Sequence, residues 1–226
     1  MLFRSVTADS ASLTRRHLEQ AREIAAQFRM NHRVITTDEM ANPAYAANNP
    51  DRCYHCKTEL FTRLSAIAQA EGYAAVLDGT NVDDQGDYRP GRQAARERAV
   101  CSPLAELGFT KADIREASRG MGLPTADLPA SACLSSRVPY GTAVTPQVLQ
   151  RIERAEAAMQ DLGFRQVRVR AHGDVARLEL DPAEIARFLD PAVRADAAAR
   201  IRACGFRYVT LDLLGYRTGS LNEALG

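Results

Sequence analysis

Three cysteines stand where their neighbours suggest chemistry. Cys53 and Cys56 form the pair CYHC, and Cys133 lies in SACLSSR beside serines and an arginine. A Cys-x-x-Cys pair at a helix start is compatible with a thiol redox couple, half of a zinc site, part of an iron–sulfur site, or no chemistry. A zinc site wants a second close pair, which this sequence lacks, and a redox couple would not need Cys133. Three thiolates suit a cluster with one open iron, and inert or singly reactive thiols are the alternative.

The neighbours of Cys133 add polar groups to the thiol. Ser136 and Arg137 follow it in a segment that ends in Pro-Tyr-Gly. A guanidinium beside a thiol can lower the thiol's pKa or hold a phosphate or carboxylate. The alternative is a plain loop whose serines cap turns and whose arginine is solvated.

A second group of cations lies in FRQVRVRAHGDVARLEL, which predicts a β-hairpin turning at His172-Gly173. That turn places Arg168 opposite Arg177, with Arg170 on the same face. Like charges directly opposite are destabilising unless an anion lies between them, so three arginines suit a phosphate group. A solvated outer face is the alternative. The other face is predicted to be core: Val167, Val169, Ala176 and Leu178.

Acidic residues complete the set of candidates. Asp78, Asp83 and Asp84 lie in LDGTNVDD, which could hold a magnesium-nucleotide but is also ordinary turn sequence. Glu156 borders the apolar stripe of a predicted helix, and Glu179 shares the arginine face of the hairpin. Both could pair with arginine or act on a substrate, and a structural salt bridge is the simpler interpretation.

The elements that must position these residues follow from apolar periodicity. LFRSVT, HRVITTD and AAVLDGT are predicted strands, and SLTRRHLEQAREIAAQF and CYHCKTELFTRLSAIAQAEG are predicted helices, the second ending at Gly72. Another helix is predicted over 110–121. Strands separated by such helices indicate an α/β fold with a mainly parallel sheet, whose ligands bind beyond the carboxyl ends of the strands.

The remainder predicts a small α+β domain. TPQVLQRIERAEAAMQDLG indicates a helix, followed by the hairpin, a long helix and the final strand RYVTLDL. The domain boundary is predicted near 142, giving domains over 1–142 and 143–226. The helix is expected to bury one stripe of residues: Val148, Ile152, Ala155, Met159 and Leu162.

Composition excludes several classes of protein. The chain has 226 residues, 46% of them hydrophobic, and a net charge of +1, so no global field attracts nucleic acid or an anionic membrane. No apolar run approaches the roughly 20 residues of a membrane helix, and no signal-peptide pattern opens the chain. We therefore expect a cytoplasmic protein whose five cysteines are free thiols.

Seven blocks in order carry a family resemblance: CYHCK, LDGTNVDD, DYRPGRQAARE, SPLAELGFTKADIR, SACLSSRVPYGT, VRVRAHGDVARLEL and GFRYVTLDLLGYRTGSLNEAL. Together they resemble the LarE family, ATP-dependent sulfur transferases of the PP-loop ATP pyrophosphatase superfamily, over almost the whole chain. The resemblance implies a Rossmann-like, adenine nucleotide alpha hydrolase-like first domain. It also implies a mononucleotide substrate, pyridinium-3,5-biscarboxylic acid mononucleotide, whose carboxylates are adenylated by ATP and converted to thiocarboxylates for a nickel-pincer cofactor.

The resemblance also implies roles for individual residues. In some members the position of Cys133 gives up its own sulfur, whereas members that also have the Cys-x-x-Cys pair hold a [4Fe-4S] cluster on three cysteines. This chain has all three, which favours a cluster on Cys53, Cys56 and Cys133, with ATP and Mg²⁺ as the other cofactors. The remaining implied site residues are Ser136 and Arg137 lining the site, Glu156 and Glu179 near the reacting carboxylate, Arg168 and Arg170 on the phosphate with Arg177 beside them, and Asp78 and Asp83 at the nucleotide.

The sequence departs from the family at its start. Members open with a strand and a Ser-Gly-Gly-x-Asp-Ser loop that cradles the ATP pyrophosphate, and no Ser-Gly-Gly occurs here. We therefore expect an N-terminally truncated PP-loop domain whose sheet lacks its first strand, and no ATP–pyrophosphate exchange by this chain alone.

Three rival functions follow from the same residues. They are a tRNA thiolase of the same superfamily, a cluster-binding remnant without nucleotide binding, and a scaffold subunit. Neutral net charge disfavours an RNA partner. The expected partners are therefore the small-molecule mononucleotide and further copies of this chain in a homo-oligomer, without nucleic acid or a membrane.

Overall fold

The computed structural model describes residues 3–84, 90–129, 131–217 and 219–221. The backbone forms two compact units. The first comprises the residues up to 45 together with 50–131, and the second comprises Ala46–Asn49 together with the residues from 132 onward. The division at 131/132 lies ahead of the boundary near 142 predicted from the sequence.

The first unit contains a parallel strand pair. β1 (Ser5–Asp9) pairs with β2 (His32–Thr36), and helix α1 (Arg15–Gln27) lies between them in the chain. Thr14 caps α1, because its hydroxyl accepts a hydrogen bond from the His17 N–H. Parallel strands joined through a helix confirm the α/β class in its coarser form, whereas an extended Rossmann-like sheet stays a prediction.

Helices make up most of the rest of this unit. α3 (Arg52–Glu71) stops at Gly72, whose φ of 73° lies in the left-handed region, so the predicted helix and its stop are confirmed. Phe61 of α3 packs with two buried alanines, Ala94 and Ala95. The remaining helices are α2 (Pro43–Ala46), α4 (Gly91–Glu97), α5 (Pro103–Glu106) and α6 (Lys111–Gly120).

The predicted buried strand AAVLDGT is wrong. Among the described residues, this run forms one isolated parallel bridge between Leu77 and Cys101, and Leu77 is 48% exposed. The reason is local. Asp78 begins a turn by accepting hydrogen bonds from the Thr80 N–H and hydroxyl, and the partner segment enters α5 at Pro103 two residues after the bridge.

The second unit has the predicted α-β-β-α-β order. α7 (Pro146–Asp161) precedes β3 (Val167–His172) and β4 (Val175–Leu180), which are antiparallel. α8 (Ile185–Phe188) and α9 (Pro191–Ala203) then lead to β5 (Tyr208–Leu211), which lies parallel to β4. The sheet order is β3-β4-β5. No helix among these described segments, in either unit, is long and apolar enough to cross a membrane.

The core of this unit lies between α7 and the sheet. Thr145 caps α7 by accepting a hydrogen bond from the Val148 N–H. The predicted stripe is shifted at its first turn, since Leu149 is buried and Val148 only half-buried. The buried residues of α7 are Leu149, Ile152, Ala155, Glu156 and Met159, and those of the facing strands include Val167, Val169, Ala171, Ala176, Leu178 and Leu180.

The hairpin register differs from the prediction by its turn. Gly173 and Asp174 are the turn residues, because His172 pairs with Val175. Gly173 has φ of 60°, which suits the first central position of a two-residue turn. Arg168 therefore lies opposite Glu179, and the predicted Arg168–Arg177 pair is wrong. The assignment of faces is confirmed, since moving the turn by one residue changed partners without exchanging the two faces.

Candidate active site

Cys133 begins a single 3₁₀ turn, Leu134–Arg137, in the second unit. Its side chain is exposed, while Leu134 beside it is fully buried. The Cys133 carbonyl accepts hydrogen bonds from the Ser136 N–H at 3.0 Å and from the Ser136 hydroxyl at 2.8 Å. The segment therefore presents a thiol to solvent from a backbone that is held in place.

Arg137 supports this turn from inside the protein. Its side chain is 1% exposed, so the solvated alternative is wrong. Nη1 donates to the carbonyls of Ala132 at 2.6 Å and Cys133 at 2.9 Å. Nε and Nη2 donate to the two carboxylate oxygens of Glu156 at 2.9 and 3.0 Å. Arg137 thus contacts the backbone of Cys133 and ties it to helix α7 by a bidentate ion pair.

Glu156 is a buried carboxylate in the apolar stripe of α7. It is 5% exposed, and besides Arg137 it accepts a hydrogen bond from the Val169 N–H at 3.0 Å. A buried charge is tolerated only when it is paired and hydrogen-bonded, and both conditions hold here. Glu156 therefore anchors both the Cys133 turn and strand β3.

A second buried ion pair lies on the polar face of the hairpin. Glu179 is fully buried, and its oxygens accept from Arg170 Nε at 2.9 Å and Nη2 at 2.7 Å. Arg177 Nη2 lies 3.1 Å from the same carboxylate. Arg170 stands directly opposite Arg177, so the anion expected between opposed arginines is supplied by Glu179 itself. Arg170 Nη1 also donates to the Ser136 carbonyl at 2.5 Å, which ties the hairpin to the Cys133 turn.

Arg168 completes the cations near the turn. Its guanidinium carbon lies 5.3 Å from the centre of the Tyr216 ring, and Nη1 donates to the Val167 carbonyl. Burial, followed by the neighbouring Arg137 charge, lowers the pKa of Arg168 from its usual value. Burial disfavours the charged guanidinium, and an anion bound beside Arg168 would favour it again.

Arg177 extends the cluster toward the edge of the sheet. It forms an ion pair with Asp212 and donates from Nε to His172 Nε2 at 3.3 Å. Burial opposes ionisation of Asp212, yet the Leu214 N–H and Arg177 lower its pKa. Burial and then Arg177 lower the pKa of His172.

These contacts define an arginine cluster. Within the described residues, four of its guanidiniums form ion pairs with three carboxylates, and Arg168 lies in the field of the same charges. Its members are Arg137, Arg168, Arg170, Arg177, Arg217, Glu156, Glu179 and Asp212. Sequence patterns did not single out Asp212 or Tyr216, although both lie in GFRYVTLDLLGYRTGSLNEAL, one of the blocks that carry the family resemblance.

The Cys-x-x-Cys pair belongs to the first unit. Cys53 is exposed and Cys56 half-buried, both near the start of α3, where residues three apart lie on one face. Cys133 is likewise a free thiol. Within either unit, the residues that the structure describes include no group of three or more His, Cys, Asp or Glu side chains able to hold a metal. Cys204 packs in the core of the second unit, where burial raises the pKa of its thiol.

The acidic residues of the first unit make turn contacts. Asp78 accepts from Thr80 and from the Ser102 hydroxyl. Asp83 accepts from the Lys111 N–H, the first of α6, and Asp84 lies 3.2 Å from the Lys111 ammonium. Their nucleotide-binding role stays a prediction. Tyr88 and Arg89, in the block DYRPGR, lie outside the described residues.

Comparison with known proteins gives the family. No protein-family model matches the chain. An uncharacterized protein of Synechocystis is 48% identical over 98% of this chain and 82% of its own length, and one of Methanocaldococcus jannaschii is 27% identical over 86% and 73%. Pyridinium-3,5-bisthiocarboxylic acid mononucleotide synthase of Lactiplantibacillus plantarum is 40% identical over 98% of this chain and 79% of its own length. With that identity over nearly its full length, the chain belongs to the LarE family.

Proposed function

We propose that this protein is an ATP-dependent sulfur transferase that converts the carboxylates of pyridinium-3,5-biscarboxylic acid mononucleotide to thiocarboxylates, for a nickel-pincer cofactor. The observation that carries the proposal is the exposed Cys133 thiol on a turn tied to the arginine cluster. The relation to a synthase of the bisthiocarboxylic mononucleotide supports it. Transfer of sulfur to an anionic mononucleotide requires a sulfur nucleophile and positively charged residues that bind the substrate.

The arginine cluster would bind the substrate's anionic groups. A phosphate monoester has close to two negative charges at neutral pH, and neighbouring guanidiniums bind such a group by charge-assisted hydrogen bonds. Arg137 and Arg170 are held by Glu156 and Glu179, so their charges occupy fixed positions before the substrate arrives. Fixed cations need little reorganisation when negative charge enters or moves in the site. Arg168 is half-buried and would make the direct contact with the phosphate.

The reaction would run in two displacements. A substrate carboxylate oxygen attacks the α-phosphorus of ATP, and magnesium pyrophosphate leaves. A sulfur nucleophile then adds to the acyl carbon, forming the carbon–sulfur bond while the carbon–oxygen bond to AMP breaks. Adenylation is needed because a free carboxylate has no adequate leaving group. Asp78 and Asp83 remain the proposed contacts to the nucleotide and its Mg²⁺.

Two sources of sulfur fit the cysteines. Cys53, Cys56 and Cys133 are thiols outside any disulfide, each at least partly accessible, so they fit as ligands of a [4Fe-4S] cluster. Such a cluster, when bound by three thiolates, has one iron open to sulfide. Alternatively, the Cys133 thiolate forms the carbon–sulfur bond to the acyl group. A base then takes the Cys133 α-proton while the Cβ–Sγ bond breaks, which releases the thiocarboxylate and leaves dehydroalanine. In both cases the Cys133 segment delivers sulfur, with its backbone fixed by Arg137 and Ser136.

Mass spectrometry of the product tests the proposal. The protein, anaerobically supplied with iron and sulfide, is incubated with the preformed acyl-adenylate of the mononucleotide, because this chain alone is expected not to make it, and replacement of carboxylate oxygen by sulfur is followed. We expect Cys133→Ala to abolish the product and Cys101→Ala, a half-buried cysteine outside the motifs, to retain it. Product formed at the wild-type rate by Cys133→Ala would overturn the proposal.

The same assay separates the two sulfur sources. Cys53→Ala should abolish turnover if a cluster is needed, together with the broad iron–sulfur absorbance. If Cys133 is sacrificial, Cys53→Ala should still give a single turnover, and the protein should lose the mass of one molecule of hydrogen sulfide as cysteine becomes dehydroalanine. Substrate-dependent exchange of pyrophosphate into ATP tests adenylation by itself.

Binding measurements test the anion site. We expect Arg168→Gln to weaken calorimetric binding of the mononucleotide by about tenfold or more, because a charge-assisted hydrogen bond is lost. Binding of the dephosphorylated nucleoside should be unchanged. Arg200→Gln, an exposed arginine of α9, is the matched control. Equal losses of affinity for the mononucleotide and the nucleoside would show that Arg168 does not bind the phosphate. A gel shift with tRNA tests the rival function as a tRNA thiolase. Light scattering tests the proposed homo-oligomer.

A further inference from the structure

Asn48 is a buried side chain that neither sequence patterns nor the proposed chemistry explain. It is 0% exposed and has φ of 58°, in the left-handed region that asparagine tolerates better than most residues. Its Nδ2 lies within hydrogen-bond distance of three carbonyls, those of Val138 at 3.2 Å, Pro139 at 2.8 Å and Thr142 at 2.9 Å. A side-chain amide has two N–H donors, so these carbonyls share them.

The backbone around Asn48 reinforces the same contact. The Asn48 carbonyl accepts from the Gly141 N–H at 3.1 Å, and the Ala46 carbonyl accepts from the Val144 N–H at 2.9 Å. The segment from 138 to 142 belongs to no strand or helix, so its carbonyls have no ladder partners. Asn48 supplies partners that a regular element would otherwise supply. A hydrophobic side chain of the same size would take this donor from the carbonyls of Val138 and Thr142, whereas that of Pro139 also accepts from the Thr142 N–H.

This contact begins where the Cys133 turn ends. Val138 follows Arg137 directly, and its N–H donates to the Ser135 carbonyl at 3.2 Å, closing the turn. Its own carbonyl is the first of the three held by Asn48. Arg137 thus holds the backbone at Cys133, and Asn48 holds the backbone that leaves the turn. Both supports act on main-chain atoms and leave the thiol accessible.

We propose that Asn48 is a positioning residue for the Cys133 segment: its amide fixes the exit of the turn and thereby the direction of the thiol relative to the arginine cluster. Asn48 itself touches no reacting atom. The contacts between Asn48 and residues 138–142 lie within the second unit. Their importance for catalysis rests on the proposed function. We therefore expect loss of Asn48 to lower kcat and to leave the KM for the mononucleotide nearly unchanged, because the arginine cluster stays intact.

Asn48→Gly is the first test. Glycine accepts the left-handed φ, so the substitution removes the amide without straining the backbone. Ile201 is a fully buried residue of α9, and Ile201→Ala leaves a cavity there. It is the matched control for general destabilisation. Peptide-resolved hydrogen exchange over 131–145 and the rate of Cys133 alkylation by iodoacetamide are measured at a temperature where all variants are folded.

We expect the amides of 136–144 to exchange about tenfold faster in Asn48→Gly and the Cys133 alkylation rate to change, with neither effect in Ile201→Ala. Wild-type protection and alkylation in folded Asn48→Gly would overturn the proposal. If the wild-type protein forms no thiocarboxylate but Asn48→Gly still loosens the segment, the proposed function fails and the positioning role stands.

Asn48→Asp keeps the proposal testable if Asn48→Gly does not fold. An ionised carboxylate offers the three carbonyls no proton, whereas a protonated one can donate a single hydrogen bond. Because burial among carbonyl oxygens raises the pKa of this carboxyl, we expect protection of the segment, relative to the wild type, to recover partly as pH falls from about 7 to about 4. Protection equal to that of the wild type at both pH values, or no recovery of protection at the lower pH, would overturn the proposal.

Discussion

The Arg137–Glu156 ion pair allows a quantitative prediction about stability. Its side chains are 1% and 6% exposed, and two N···O distances of 2.9 and 3.0 Å make it bidentate. Glu156→Gln preserves the shape and an oxygen that can still accept from the Val169 N–H. The change therefore removes mainly the charge and leaves a buried guanidinium uncompensated. Breaking one partner of such a pair costs about 3–5 kcal/mol.

Urea denaturation followed by circular dichroism measures this cost. With a slope of about 2 kcal/mol per molar urea, a loss of that size lowers the midpoint by about 2 M. The Arg200–Asp196 pair is the matched control, because its Nε···Oδ1 distance is also 2.9 Å while its side chains are 44% and 47% exposed. Asp196→Asn should shift the midpoint too little to measure, since exposed pairs contribute little.

A double variant separates the charge from the shape. Arg137→Met combined with Glu156→Met leaves no unpaired buried charge and should recover part of the loss. Recovery should be incomplete, because the Ala132 carbonyl loses its Arg137 donor and the Val169 N–H loses its Glu156 acceptor. Equal midpoint shifts for Glu156→Gln and Asp196→Asn would refute the reasoning that burial makes this pair important.

Two further predictions concern the hairpin. Because burial and Arg177 lower the pKa of His172, its contribution to stability is present above the unfolded-state pKa of about 6.5 and is lost as pH falls through the lower folded-state value. The wild type should therefore lose more stability than His172→Gln between about pH 8 and about pH 5, and parallel urea curves would contradict this. Gly173→Ala should cost about 1–2 kcal/mol through its φ of 60°, although no atom lies within 4 Å of the added methyl group. Thermal melts should show the opposite sign for Gly120→Ala in α6, where φ is not positive and helix propensity favours alanine by up to about 1 kcal/mol.

Local patterns predicted the elements that local physics decides. The helix after Cys53 and its stop at Gly72 follow from apolar spacing and from one glycine, and the structure confirms both. The two faces of the hairpin follow from alternation, which survives an error in the turn. Cross-strand partners depend on which residues form the turn. The run HGD allows a turn at His172-Gly173 or at Gly173-Asp174, and the alternation of apolar residues is the same for both.

Side-chain burial and long-range contacts could not be predicted from the sequence. Nothing in SACLSSR indicates that Arg137 is buried, because its partner Glu156 comes from a helix whose position the sequence does not reveal. Asn48 lies in a run that reads as an ordinary loop, and its contacts are 90 or more residues away. The predicted strand around Leu77 failed because Asp78 formed a turn, a competition that apolar content alone does not decide.

The membership of Ala46–Asn49 in the second unit has a consequence for synthesis on the ribosome. Asn48 is made early, but the carbonyl of Thr142 follows it by 94 residues. At about 5–20 residues per second, the amide waits roughly 5–20 s for that partner. The chain on both sides of it belongs to the first unit, which can fold in the meantime. The second unit therefore completes its fold around a short segment delivered long before, and a fragment beginning at 132 would lack that segment altogether.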